Sequence, residues 1–184
     1  MAGTRAALSI QFSMTAPSAK DFPGLSAELR AQLDSVPLAH DRDFALAPCQ
    51  VTLRSGEVVD RVYIVEAESF IGLWGWDAAR PYISLEDVVS IRESPTRLPS
   101  EFADRLYHAG ESGMGYVIFT VVTGNGSRFP FSTGDAVDFP NWPPGLGPQD
   151  VVDVLPHVGR ELFREGGYPP TQQGADYLWC LYSV

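Results

Sequence analysis

VTLRSGEVVDRVYIV, residues 51–65, is the stretch on which the fold reading turns. Two β-prone arms flank Ser55-Gly56, and glycine supplies the positive φ that a tight hairpin turn needs. In the second arm Val62 and Ile64 alternate with Val59, Tyr63 and Val65, the pattern of a strand with at least one buried face. Residues 116–131, YVIFTVVTGNGSRFPF, carry the same signals around Gly124-Asn125-Gly126. Pro130 cannot donate to a ladder, so this second return arm belongs at an edge or a bulge.

Each hairpin is followed at a distance by a short Asp-Val-Val strand: Asp87 to Ile91 after the first, Asp150 to Val154 after the second. Self-similarity of this kind fits a duplicated supersecondary unit, with half-units at 51–91 and 117–155, and it equally fits two generic glycine-turned hairpins of the common type. From turn glycine to aspartate the separation is 31 residues (Gly56 to Asp87) in one half and 24 (Gly126 to Asp150) in the other, so the linkers differ by seven. The order strand, glycine turn, strand, loop, short strand in Val51 to Ile91 resembles an SH3-like or Sm-like small barrel. The resemblance concerns architecture and carries no function. The expected class is thus α+β and strand-rich, a small barrel or strongly bent antiparallel sheet with two or three short flanking helices.

Working outward, Leu25, Leu29, Leu33 and Val36 share a helical face, with Ser26 as N-cap and Pro37 as terminator. Residues 40–48 read as a connection. FIGLWGW, residues 70–76, holds two glycines and reads as a bent strand or loop. A helix is predicted from Ser100, as cap, to Ala109, closed by Gly110. Residues 138–148, DFPNWPPGLGP, form a Pro/Gly-rich loop. Asp150 could cap a helix, but the valines after it favour a strand. A short helix is expected from Val158 to Arg164, a linker from Tyr168 to Gly174, and a final strand within 177–184. One domain is expected over 24–184, with 1–23 as a first strand or loose tail.

Thirteen basic against 23 acidic residues leave a net charge of −10. Such a chain repels a phosphate backbone, and its basic residues are scattered singly, so nucleic acid is not an expected partner. Apolar residues make up 45%, enough for a core. Cys49 and Cys180 lack metal-ligand spacing and read as reduced thiols. No apolar run approaches the ~18 residues of a membrane span, and the cytoplasm is the expected compartment.

His40, His108 and His157 are too dispersed for a protein-built metal site, and no cofactor is expected. Gly110-Glu111-Ser112-Gly113-Met114-Gly115 invites comparison with a nucleophile elbow, but Met114 replaces the last glycine and the loop follows a helix instead of a strand. His108, Glu111 and Ser112 are the remaining candidates for acid–base or nucleophilic chemistry. Aromatic side chains in glycine- and proline-rich loops rimmed by carboxylates suit partner binding. Those residues are Trp74, Trp76, Asp135, Asp138, Trp142, Asp150 and Asp153. The expectation is a non-enzymatic acidic module that docks a basic or nucleic-acid-acting protein, such as an inhibitor or immunity protein. The alternative is a small enzyme or small-molecule binder with its site at His108, Glu111, the Gly110–Gly115 loop and the Trp74–Trp76 segment.

Overall fold

The computed structural model describes residues 16–42, 44–113, 115–134, 136–157 and 172–184. The chain is α+β. In order, the elements are α1 (Ala27–Leu33), β1 (Ala39–Asp41), β2 (Phe44–Leu53), β3 (Val58–Glu66), α2 (Ala67–Trp74), β4 (Tyr82–Ile83), β5 (Val88–Glu93), α3 (Ser100–Ala109), β6 (Val117–Thr123), β7 (Arg128–Thr133), β8 (Val151–Pro156), β9 (Gln172–Gln173) and β10 (Leu178–Tyr182). A six-stranded sheet runs β1-β2-β3-β10-β4 with β5 beside β2, and a four-stranded sheet runs β8-β6-β7-β9.

The two sheets share an order of elements. In each, a helix precedes a hairpin whose first strand is central, and a later strand pairs antiparallel to that first strand. The registers correspond: Val51 faces Val59 and Ile91, while Val121 faces Phe129 and Val154. Each third strand has a register shift at the matching place, between Thr52 and Leu53 and between Val122 and Thr123. A 3₁₀ turn, Leu85–Asp87 or Pro148–Asp150, leads into that strand. Both hairpin turns close with a glycine in the left-handed region, Gly56 at φ 86° and Gly126 at φ 81°. The Gly56 and Gly126 amides donate to the carbonyls of Leu53 and Thr123, each at 2.8 Å. This is the three-residue loop with a glycine bulge, whose twist matches that of the flanking strands.

Neither sheet closes on itself, so the expected barrel is not formed. In each unit the second hairpin strand is extended sideways by a parallel strand, β10 on β3 and β9 on β7. The outer edges of β5 and β8 meet the preceding helix instead of a returning strand. Gln32 of α1 accepts from the Ile91 amide at 2.7 Å, and Arg105 of α3 donates to the Val154 carbonyl at 3.1 Å. A side chain that occupies an edge group in this way blocks further strand pairing there. Pro130 lies opposite Thr120 of β6, while β9 pairs only with Phe131 and Ser132, so the proline's missing donor leaves no ladder incomplete.

Three local expectations change. Residues 40–48 are not a connection but contain the end of β1 and the start of β2, with Arg42 at φ 56° in the turn between them. Residues 70–74 of FIGLWGW are helical, because the chain from Ala67 onward places Ala67, Phe70, Ile71 and Trp74 on one face toward the core. Gly75, at φ 69°, ends that helix. Within 168–174, Gln172–Gln173 form β9 instead of linker. The helix expected over 158–164 lies outside the described residues, as do residues 1–15. Ser26 caps α1 as expected, its side chain accepting from Leu29, whereas Pro99 and not Ser100 occupies the N-cap of α3.

The alternation in β3 settles the layering. Val62 and Ile64 face a core under α1 with Leu29, Leu33, Val51 and Ile91. Tyr63 and Val65 face a larger core shared with α3 and the second sheet, including Phe102, Phe119 and Phe131. Both faces of this strand are therefore buried. Cys49 and Cys180 are free, buried thiols in the first core, and burial raises both, Cys180 to about 12. If the two units are equivalent, Gly56→Ala and Gly126→Ala should each cost about 1 kcal/mol, because alanine resists positive φ. Equilibrium urea unfolding of the two variants measures this, and clearly unequal losses would show that the turns carry different strain.

Candidate functional site

Two features join elements that are distant in sequence: a buried polar clasp and a cavity. The clasp centres on Asp138, whose side chain is 0% exposed. Its Oδ2 accepts from the phenols of Tyr63 at 3.0 Å and Tyr107 at 2.7 Å, and its Oδ1 accepts from Arg97 at 3.0 Å. Arg97 also donates to the Pro37 carbonyl at 2.6 Å and to Glu93 at 3.1 Å. Burial raises the Asp138 carboxyl, while the Arg97 guanidinium and the two phenols pull it back. Burial first, and then the Asp138 charge, push both phenols well above their ordinary value, so they remain protonated donors.

The cavity has a volume of about 410 Å³ and lies between α2, α3 and the β1–β2 turn. Phe44, Leu106 and Val117 supply apolar lining, Leu73 and Trp74 come from the last turn of α2, and Tyr107 belongs to both cavity and clasp. Trp74 is held edge-on against Phe44, with ring centroids 4.5 Å apart. Asp41, Arg42, Ser69 and Glu111 bring polar groups to the same space. Leu73 is 57% exposed, unusual for a leucine and consistent with a position at the mouth.

The structure thus brings Trp74 and Glu111 together, as the small-molecule alternative required, and separates the other candidates. His108 is exposed and does not line the cavity. Ser112 is buried; its hydroxyl donates to the His157 carbonyl at 2.6 Å and accepts from the Ile118 amide at 2.9 Å. It pins the loop to β6 and the end of β8, which is a structural role. Glu111 accepts from the Gly115 amide at 3.1 Å.

Among the expected partner-binding residues, Asp138 is internal and cannot form part of a carboxylate rim. Trp142 is half-buried, stands edge-on to Phe131 and donates to the Thr96 carbonyl at 2.7 Å. Trp76 is parted from Trp74 by the turn at Gly75 and stacks on Tyr82 at 4.7 Å. Asp150 takes the Gly147 amide at 2.8 Å, and Asp153 is ion-paired with Arg105. Asp135 lies outside the described residues. Among the described residues no three His, Cys, Asp or Glu side chains gather as a metal site, and no helix is long and apolar enough to cross a membrane. Sequence reasoning missed Tyr107 and Arg97 and read Asp41 and Arg42 as a loop charge cluster beside His40; the helical spacing of Ala67, Phe70 and Trp74 was the available signal for the α2 wall.

No protein family, curated protein or solved structure matches this chain.

Arg97→Leu removes the charge partner of a buried carboxylate and should cost about 3–5 kcal/mol. Because burial raises Asp138, that loss should be largest near neutral pH. It should shrink at about pH 4, in the ordinary carboxylate range, because the raised Asp138 carboxyl takes up a proton in the folded state at a higher pH than in the unfolded chain. Urea denaturation of parent and variant at both pH values measures this, and a pH-independent loss would mean that Arg97 acts through packing alone.

Proposed function

We propose that this protein binds a small molecule in the cavity between α2, α3 and the β1–β2 turn. The observation that carries the reading is the cavity's composition. An apolar floor of about 410 Å³ joined by a few convergent polar groups is the usual make-up of a ligand site, and the volume falls within the ~300–1,000 Å³ of such sites.

The test uses Ser69, which lines the cavity from the exposed face of α2. In the parent protein, a library of apolar fragments should include members that shift the Trp74 indole resonance saturably. Ser69→Trp fills the space and should abolish those shifts; it also removes the hydroxyl that donates to Glu66 at 2.7 Å, so urea unfolding of the variant is measured alongside to establish that it is folded. Retained binding in this variant would remove the cavity as the site.

Charge favours a second reading, docking of a basic protein by an inhibitor-like module. The net charge is −10, and among the described residues only Glu93, Asp138 and Asp153 of the acidic side chains form ion pairs, which leaves a negative field that speeds encounter with a basic surface. A stoichiometric basic partner should then be retained from native lysate at low salt and released at about 0.5 M salt, where screening is nearly complete. Retention of none would end this second reading.

A further inference from the structure

The charge pattern around the cavity specifies a ligand class, an inference that rests on the cavity being a ligand site. Two carboxylates, Asp41 and Glu111, stand in its lining, with Arg42 as the single cation there. The backbone adds to the negative side. α2 and α3 both present their last turns to the cavity, through Leu73 and Trp74 in one and Leu106 and Tyr107 in the other. A helix C-terminus carries about half a negative charge in its unpaired carbonyls and favours a cation nearby. The floor, by contrast, is apolar: Phe44, Leu106 and Val117 are each no more than 5% exposed.

We propose that the cavity takes a monocationic organic amine, with its aromatic or branched apolar body on the Phe44, Leu106 and Val117 floor and its ammonium between Asp41 and Glu111. The ammonium has three donors and no acceptor, which matches two carboxylates. Among the described residues Arg42 offsets one of the two carboxylates, so the lining keeps one net negative charge and suits a ligand with one positive charge. Carboxylic acids are disfavoured by the same pair of carboxylates and by both helix ends.

Four probes, each titrated against the full-length protein, separate the possibilities. They are 2-phenylethylamine, its neutral analogue 2-phenylethanol, its acidic analogue 3-phenylpropionate, and the polyamine spermidine. Binding is followed by calorimetry and by the Trp74 indole resonance. The amine should bind about tenfold more tightly than the alcohol, the difference a charge-assisted hydrogen bond supplies, and the acid and spermidine more weakly than the amine. Asp41→Asn and Glu111→Gln should each weaken the amine about five- to tenfold and leave the alcohol unchanged. Arg42→Ala should tighten the amine and spermidine alike. If the alcohol or the acid binds as tightly as the amine, the charge assignment is wrong while the cavity remains a ligand site. Tightest binding by spermidine would overturn the role given to Arg42 and the apolar floor. No Trp74 response to any probe, nor to the fragment library, would sink the cavity reading itself.

Discussion

A carboxylate enclosed by protein has to be answered by partners, and Asp138 is enclosed completely. Its partners come from three separate places: Tyr63 from β3, Tyr107 from α3, and Arg97 from the segment between β5 and α3. Tyr107 and Asp138 belong to the second unit, Arg97 to the segment joining the units and Tyr63 to the first, so the carboxylate gains its full set of partners only when the two units lie against each other. Apolar packing between the units tolerates sliding by a residue or a rotamer, whereas two phenols and a guanidinium on one carboxylate do not. The clasp therefore supplies the specificity of the arrangement, and the shared core of Phe102, Phe119, Phe131 and Val65 supplies most of its free energy. Tyr107 transmits that constraint to the cavity, since its ring stands in the wall while its hydroxyl is held from behind.

The shared arrangement of the two sheets explains why they stay open. A single hairpin with a third strand exposes two edges and one apolar face, and is marginal alone. In this chain each unit covers the outer edge with its own helix and the other edge with a parallel strand from the C-terminal part of the chain. The apolar faces then meet. Closing either unit into a barrel would bury a face that is needed for the other unit.

The repeated parts were the parts legible in sequence. Glycine turns at 56 and 126 and the Asp-Val-Val strands act locally, through backbone conformation and β-branching, so their signals lie within a few residues. The α1 and α3 helices showed their periodicity for the same reason. What escaped was set by tertiary contact. Residues 70–76 look like a loop because glycines 72 and 75 break any local preference, and only burial of Phe70 and Trp74 against Phe44 and Trp179 selects the helix. Asp138 reads as one more surface carboxylate in a proline-rich loop, because no local feature announces that Arg97, 41 residues earlier, will meet it. Of the cavity, Trp74 and Glu111 were named in advance, but their pairing with Asp41 and Arg42 depends on a turn whose left-handed arginine no propensity favours.

The cavity's position follows from the same division. The repeated framework is helix, hairpin, 3₁₀ turn and third strand. The additions that differ between the two copies are β1 with its turn, α2 after the first hairpin, and the Gly110–Glu111 exit from α3. In the second copy the stretch after the hairpin has no helix before the 3₁₀ turn at Pro148–Asp150; among its described residues it carries instead Asp138 and Trp142. The cavity is walled chiefly by the unrepeated pieces of the first copy and floored by the second copy's α3 and β6. A framework under strong packing constraint admits little change, whereas insertions at its margins can vary without unfolding it. Recognition in this molecule is accordingly placed where its symmetry fails. The clasp is what allows those irregular pieces to meet at a fixed distance, because it holds Tyr107 and thus the end of α3 against the sheet that carries α2.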